Sequence, residues 1–418
     1  MSKLKRLFSL LASIALSSSL APALAQTAAT TPAAAATASP TAAPTVVITT
    51  DGMVDAYYTY NFTNSSHGFT GTVPGNPGLG YNTTDDSFTL GLAEESFTAT
   101  LGSTSAHLVL AYGQTADLST FDPAYGTGFA VEQAYVSYNP GMWTFNAGKF
   151  VTWMGNEVVE SKSNWNYSRS LLFNYTIPVW HTGISANYAP SSTFNLTGYA
   201  TDGDNTTTAS PLGKTYGLQV NLKPSSIWNF YLNGIAGPGM FSGVAGNPVT
   251  AYGAARYVGE AIVDYTPDAS WSFALDAEYG AQDLVGSSNA PTTVAPTLGN
   301  GTSISSATFK GFALYGRYQA ASDWAFALRL EELSDDYGIL GIYGVATPSY
   351  SGKGPYDNEA REITLTIEHN LSSNLLFRLE GRGDMAYTGG SAYGSGAGPF
   401  ADGDSTQWTG TAGAVFSY

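Results

Sequence analysis

Apolar and polar residues alternate along much of this chain from about residue 46 onwards. In 271–279, Trp, Phe, Leu, Ala and Tyr occupy every second position, and Asp276 and Glu278 lie between them. The same period recurs in three further segments, 324–331, 362–368 and 375–382. Strict alternation over such lengths predicts β-strands with one apolar and one polar face.

The alternation predicts about 16 strands, joined by short and long connections in strict turn. The short connections lie near 102–104, 139–141, 189–192, 223–226, 266–270, 320–323 and 371–374. The long ones lie near 63–85, 114–129, 152–178, 202–213, 237–256, 281–308, 334–358 and 386–406. Because alternate connections of an up-and-down sheet lie at the same end, one end carries the tight turns and the other carries the loops.

This order of connections is typical of an all-β transmembrane barrel, up-and-down and antiparallel, with short periplasmic turns and long extracellular loops. A closed barrel suits a membrane because it satisfies every backbone hydrogen bond without an exposed strand edge. A soluble β-sandwich rarely needs so many strands in one module and does not confine its long connections to every second position. A repeat solenoid would show a fixed sequence period, and the chain has none.

Strand register is ambiguous in two segments. In 88–101, the apolar set changes parity, and a β-bulge near Ala93–Glu95 would reconcile its two halves. In 143–151, the alternation is regular as far as Ala147, after which Lys149 arrives in phase and Phe150 out of phase. The pattern alone does not decide which of these side chains faces the lumen.

The N-terminus predicts export. Residues 1–25 have a basic start, an apolar run and a final Ala-Leu-Ala, which is typical of a cleaved secretory signal peptide. Residues 26–45 are almost entirely Ala, Thr and Pro, and we predict a disordered linker there. The remainder, 46–418, is predicted to be the barrel, and a signal peptide before a barrel indicates the outer membrane of a Gram-negative type envelope.

Composition narrows the function further. Only 11% of residues are charged while 13% are aromatic, and a protein with so little charge has much surface away from water. The net charge of −16 argues against nucleic acid as a partner, since phosphate binding needs a basic patch. The chain has no cysteine, which excludes disulfides and thiol chemistry. No nucleophile elbow or metal-spaced histidine pair is present, so we predict neither an enzyme nor a bound cofactor or metal.

Large aromatic residues recur on both sides of the short connections. Trp and Tyr favour the membrane interface, so we predict an aromatic girdle at the periplasmic end. Its members are Tyr138, Trp143, Tyr188, Trp228, Tyr265, Trp271, Tyr318 and Trp324. Phe416 and the terminal Tyr418 share one face of the last strand. They resemble the signal by which the barrel-assembly machinery recognises its substrates, although Phe rather than Tyr is the usual last residue.

Several stretches resemble the OmpL-like putative β-barrel porin-2 family of outer-membrane proteins. They are DGMVDAYYTYNF (51–62), VEQAYVSYNPGMWTFNAGKF (131–150) and GNEVVESKSNWNYSRSLLFNYTIPVWHTGISANY (155–188). The resemblance implies a porin-like protein in contact with outer-membrane lipid. By analogy with the general porins, a homotrimer is one expected assembly.

The polar face of a wide barrel lines its lumen, and charged residues there tune ion selectivity. The candidates are Asp276, Glu278, Arg317, Arg329, Glu331, Glu362, Glu368, Arg378, Glu380 and Arg382. Some of them can instead pair across strands and only stabilise the wall. The loop 152–178 is a sharper candidate, because the corresponding loop of general porins folds inward and narrows the pore. Its candidate residues are Trp153, Glu157, Glu160, Lys162, Trp165 and Arg169.

These features predict a channel for passive diffusion of small hydrophilic solutes or ions. It would select by size exclusion and by the charge of its lining. The alternative is a non-conducting surface adhesin or structural barrel, in which the same loop would pack over the rim or block the lumen.

Overall fold

The computed structural model describes residues 45–63, 76, 79–119, 129–209, 213–238, 255–283, 306–336, 340, 342, 357–388 and 405–418. The predicted signal peptide and nearly all of the predicted linker lie outside the described residues. So do parts of every long connection except 152–178.

The described residues form sixteen strands in a single closed sheet. Their bounds are Val47–Asn61 (β1), Ser87–Leu101 (β2), Thr104–Tyr112 (β3), Phe129–Tyr138 (β4), Trp143–Val151 (β5), Trp180–Ser191 (β6), Phe194–Thr201 (β7), Thr215–Leu222 (β8), Trp228–Pro238 (β9), Ala255–Tyr265 (β10), Trp271–Asp283 (β11), Ser306–Gln319 (β12), Trp324–Asp336 (β13), Asp357–Ser372 (β14), Leu375–Thr388 (β15) and Thr406–Ser417 (β16). Each strand pairs antiparallel with its sequence neighbours, and β1 pairs with β16 to close the barrel. The predicted up-and-down antiparallel barrel is confirmed.

The two faces of the wall are inverted relative to a soluble sheet. Along β14, Leu365 is 55% exposed on the outside, whereas Thr364 and Thr366 are fully buried on the inside. The same alternation leaves large apolar side chains exposed on the outside of other strands, such as Ile184 and Leu232. An outward apolar face around a polar interior is what a barrel in lipid requires.

The bulge in β2 lies earlier than the parity change predicted. Gly91 is the extra residue, because Leu90 pairs with Ala56 and Leu92 pairs with Asp55. The expected position near Ala93–Glu95 is therefore wrong by about two residues. A Cβ on Gly91 would lie 3.3 Å from the Asp55 carboxyl group, so a glycine suits this crowded point.

A second bulge was not predicted. In β4, Glu132 is the extra residue between Val131 and Gln133 when the strand pairs with β3. The register of β5 is continuous along β6, without a bulge, and Phe150 is buried on the inside.

Aromatic side chains pair across strands at the short-turn end of the barrel. Their ring centroids lie 4.7 Å apart in Trp143–Tyr188, 4.3 Å in Trp228–Tyr265, 4.6 Å in Trp271–Tyr318 and 4.0 Å in Trp324–His369. In each pair the Trp opens an odd-numbered strand and lies opposite a residue near the end of the next strand. Tyr138, also half exposed, ends β4 opposite Thr104. The sequence pattern did not include His369, which stacks on Trp324 as a tyrosine does elsewhere.

The end of the chain is held in the closing seam. The backbone amide of Tyr418 donates to the Gly52 carbonyl at 3.2 Å, and its hydroxyl donates to Glu95. Phe416, 45% exposed, lies on the outer face.

Helix is a minor part of the described chain, limited to α1 (Gln114–Ser119), α2 (Leu171–Tyr175) and a 3-10 turn at Ser161–Ser163. Within the described residues, no helix is long and apolar enough to cross a membrane.

Candidate functional site

The connection between β5 and β6 lies inside the barrel. We call its residues, 152–178, the inner loop. It contains the 3-10 turn and α2, whose N-terminus is capped by Ser170 accepting from the Phe173 amide at 2.9 Å. Leu171 and Leu172 at the start of α2 have no exposed surface. The loop therefore packs within the lumen rather than over its rim.

Arg329 on β13 makes the densest set of contacts with the inner loop. Its guanidinium donates to the Glu157 carboxylate at 2.6 Å and to the Ser168 carbonyl at 2.8 Å. It also donates to Glu362 on β14 at 2.8 Å. The Arg329 side chain is fully buried, so each charge-assisted bond forms away from water, where it is strongest.

Two arginines on β15 hold the loop in the same way. Arg378 donates to the carbonyls of Ser161 and Asn164 and pairs with Glu368 at 2.8 Å. Arg382 donates to the Arg169 carbonyl at 2.7 Å and pairs with Asp384 at 2.7 Å. Both guanidinium groups thus bind loop backbone on one side and a wall carboxylate on the other.

Wall carboxylates on this side accept from loop amides. Glu380 accepts from the amides of Tyr167, at 2.6 Å, and Ser168, at 3.0 Å. Glu331 accepts from the Leu171 amide, the first residue of α2, at 2.8 Å. These carboxylates satisfy backbone donors that would otherwise be unpaired within the lumen.

Strands elsewhere in the wall contact the beginning of the loop. Glu260 on β10 accepts from the Gly155 amide at 2.8 Å, and Asp276 on β11 accepts from the Asn156 amide at 3.1 Å. Gln219 on β8 donates to the Trp153 carbonyl at 2.9 Å.

The closing strand β1 completes this set of contacts. Asp55 accepts from the hydroxyls of Ser161, at 2.6 Å, and Tyr167, at 2.8 Å. Burial, together with the neighbouring Asp55 carboxyl group, raises the pKa of the Tyr167 hydroxyl well above its usual value. The inner loop is therefore anchored to β1, β8, β10, β11, β13 and β15.

Glycines in the wall make room for the large side chains of the inner loop. A Cβ on Gly217 of β8 would lie 1.9 Å from the Trp153 ring, and one on Gly413 of β16 would lie 2.5 Å from the Tyr167 ring. The Trp153 ring also stacks on Tyr199 with centroids 3.8 Å apart. The loop and the wall are complementary in shape as well as in charge.

The remaining predicted residues are less tightly held. Trp165 is partly buried and meets the Tyr315 ring edge-on at 6.4 Å. Glu160 and Lys162 are half-buried. Arg317 is the most exposed of the predicted lumen arginines and pairs with Glu368 at 2.6 Å. Glu278 is buried on β11 beside Asp276, away from the three anchoring arginines.

Sequence analysis missed several residues that contact the loop. Asp55, Glu260 and Asp384 all have inward parity on their strands, so the alternation carried a signal for each. In β10, however, inward positions also include Val258 and Ile262, and this mixed inner face conceals Glu260.

A cavity of about 340 Å³ lies between the inner loop and the short-turn end. Its loop side includes Asn156, Glu157 and Trp165, and its wall side includes Lys223 and Asp264. The cavity therefore carries groups of both charges.

Comparison with known proteins agrees with the fold. The sequence model of the putative β-barrel porin-2, OmpL-like family matches residues 47–418. The chain belongs to this family. No curated protein matches the chain in sequence.

Solved structures of other outer-membrane proteins share the barrel. The outer membrane channel DcaP of Acinetobacter baumannii aligns with a TM-score of 0.56 at 13% identity, covering 89% of this chain and 97% of that one. The anion-selective porin from Comamonas acidovorans aligns at 0.55 and 13% identity, covering 90% and 100%. In-vitro folded OmpT of Vibrio cholerae aligns at 0.55 and 12% identity, covering 89% and 98%. The family and the barrel together make this an outer-membrane, porin-like channel protein.

Proposed function

We propose that this protein admits small hydrophilic solutes and ions by passive diffusion, and that the inner loop is its constriction. The observation that supports this role is the anchoring of the loop to strands around the lumen, most densely at Arg329. Barrels of about 16–18 strands leave an aqueous channel unless something fills it. A loop held inside such a barrel sets how much of the channel remains.

The anchoring arginines contribute mainly to the position of the loop. Arg329, Arg378 and Arg382 are each buried and paired with wall carboxylates, so little of their charge is available to passing ions. Selection would then depend first on size. Charge selection would come from groups beside open space, such as Lys223 and Asp264 around the cavity.

The alternative is a non-conducting structural barrel or surface adhesin. One observation favours it, namely that the inner loop contacts wall strands on opposite sides of the barrel and buries most of its own surface. A loop held on several sides can obstruct a lumen completely.

Swelling of liposomes containing the purified protein distinguishes the two. We expect swelling in sugar solutions, with a rate that falls steeply as the sugar grows, because the constriction excludes by size. Protein-free liposomes are the control. Swelling no faster than in that control would contradict the diffusion channel and support the non-conducting barrel.

The assembly partners are proposed on the same footing. Phe416 and Tyr418 would present the terminal signal to the barrel-assembly machinery, and the aromatic residues at the short-turn end would form the periplasmic girdle in outer-membrane lipid. A homotrimer is the proposed assembly by analogy with general porins.

A further inference from the structure

Three carboxylates meet where the inner loop joins the wall at β10 and β11. Ligand oxygens of Glu260, Asp276 and Glu278 all lie within 4.8 Å of one another. Glu260 and Glu278 are direct cross-strand partners, an arrangement in which like charges destabilise a sheet. All three side chains are almost completely buried. Something must therefore compensate their charge.

Several oxygens at this point have no hydrogen-bond partner among the described residues. Both carboxylate oxygens of Glu278 are unpaired although the residue is only 4% exposed, and Asp276 Oδ1 is also unpaired. The Thr176 hydroxyl lies beside Glu278 but donates to the Leu172 carbonyl at 2.6 Å. Buried polar atoms without a partner are rare in proteins and call for an unseen ligand.

A neutral amide extends the set of oxygens. Asn233 on β9 lies opposite Glu260 in the ladder, and its Nδ2 donates to the Glu260 carboxylate at 2.5 Å. Its Oδ1 is buried and has no partner among the described residues. Asn233, Glu260 and Glu278 thus present oxygen atoms from three adjacent strands.

The opposite wall shows what compensation looks like in this barrel. There Glu362, Glu368 and Asp384 each pair with a buried arginine at 2.7–2.8 Å. No salt bridge of that kind reaches Glu260, Asp276 or Glu278 from the described residues. Arg256, the nearby guanidinium, donates instead to the Thr176 carbonyl and to Asp204 at 3.5 Å.

We propose that Glu260, Asp276, Glu278 and the Asn233 amide oxygen bind one divalent cation of the calcium class. Calcium takes about 6–8 oxygen ligands at about 2.3–2.6 Å, from carboxylates, amides and water, in flexible geometry. The site lacks the nitrogen and sulfur ligands that transition metals prefer. Since Glu260 and Asp276 also accept from the Gly155 and Asn156 amides, the bound cation stabilises the start of the inner loop.

A second group of carboxylates in the barrel serves as the comparison. Glu94, Glu132 and Glu160 also approach one another within 4.8 Å. Here Glu160 is half-buried, and Lys162 and Lys149 interact electrostatically with the group. Because lysines compensate part of this charge, we expect it to bind a divalent cation much more weakly.

The test is calcium binding to the full-length mature protein, refolded in detergent without lipopolysaccharide and stripped with EDTA. Isothermal titration with CaCl₂ at neutral pH should give one saturable site per chain. Glu278→Gln should weaken binding at least tenfold, whereas Glu94→Gln should leave it unchanged. Calcium should also raise the thermal midpoint of the wild type and not that of Glu278→Gln.

Asp276→Asn provides a second variant should Glu278→Gln fail to refold. Absence of saturable binding by the wild type would overturn the proposal and indicate that protons neutralise the carboxylates. Loss of binding in Glu94→Gln but not in Glu278→Gln would overturn it as well. The readout is binding and stability, so the result stands whether or not the barrel conducts.

Discussion

Arg329 shows how one side chain can fix the geometry of this barrel. Its guanidinium binds Glu157 and the Ser168 carbonyl of the inner loop together with Glu362 of the wall, all without contact with water. A buried ion pair is not by itself strongly stabilising, but breaking one leaves a charge buried and uncompensated. The residue is therefore better understood by what its removal would leave behind.

We expect Arg329→Met to lower the free energy of unfolding by about 3–5 kcal/mol, because Glu157 and Glu362 would keep their burial and lose their partner. Urea unfolding in detergent or lipid measures this. The matched control is Arg361→Met, since Arg361 is half exposed and its pairs with Glu332 and Glu359 lie on the surface. Exposed pairs contribute about 0–1 kcal/mol. Equal losses in both variants would contradict the anchoring role of Arg329.

Gly217 tests the fit between loop and wall. Gly217→Ala would place a methyl group 1.9 Å from the Trp153 ring, so the loop must shift, and overpacking of this kind costs about 1–3 kcal/mol. The control is Gly259→Ala on β10, where an added Cβ meets nothing within 4 Å. Unfolding measurements should separate the two variants, and Trp153→Ala should abolish the difference between them. An unaltered stability in Gly217→Ala would show that Trp153 does not pack there.

At the scale of the strand, β14 offers a test of the lipid-facing surface. Leu365 lies in the middle of the strand and Leu371 near its short-turn end, and both are more than half exposed. Leu365→Arg should cost about 2–4 kcal/mol, because it places a charge at the bilayer midplane, and Leu371→Arg about 0–1 kcal/mol, because it lies near the interface. Reversible unfolding from lipid vesicles measures both. Equal costs would contradict the proposed position of the membrane.

The strands were predictable from sequence because their signal is local. Alternation alone gave the number of strands, their inward faces and most of the charged inner residues. The bulges at Gly91 and Glu132 were misplaced or missed, since a bulge is fixed by pairing with the neighbouring strand.

The contacts of the inner loop could not be read from the chain for a related reason. Glu157 and Arg329 are 172 residues apart, and nothing local specifies their pairing. The same holds for Asp55, which meets Ser161 and Tyr167 from more than a hundred residues away. The sequence identified the loop by its charged and aromatic composition, but only the closed barrel brings its partners around it.

At the scale of the whole molecule, the barrel and the inner loop have separate duties. The closed sheet satisfies the backbone in lipid and presents an apolar exterior. Its inner face provides the arginines, carboxylates and glycines that receive the loop. The account predicts that the loop can be altered without loss of the barrel, since every strand pairs with its neighbours independently of it.

Single-channel recording in planar bilayers tests the central claim most directly. The wild type is compared with a variant in which 157–169 is replaced by Gly-Ser-Gly, after heat-modified electrophoretic mobility shows that both barrels are folded. We predict discrete steps for the wild type and larger steps for the variant, with altered ion selectivity, because the replaced segment carries Glu157, Tyr167, Ser168 and Arg169. Unchanged conductance and selectivity in the variant, or no steps from either protein, would contradict a channel constricted by its inner loop.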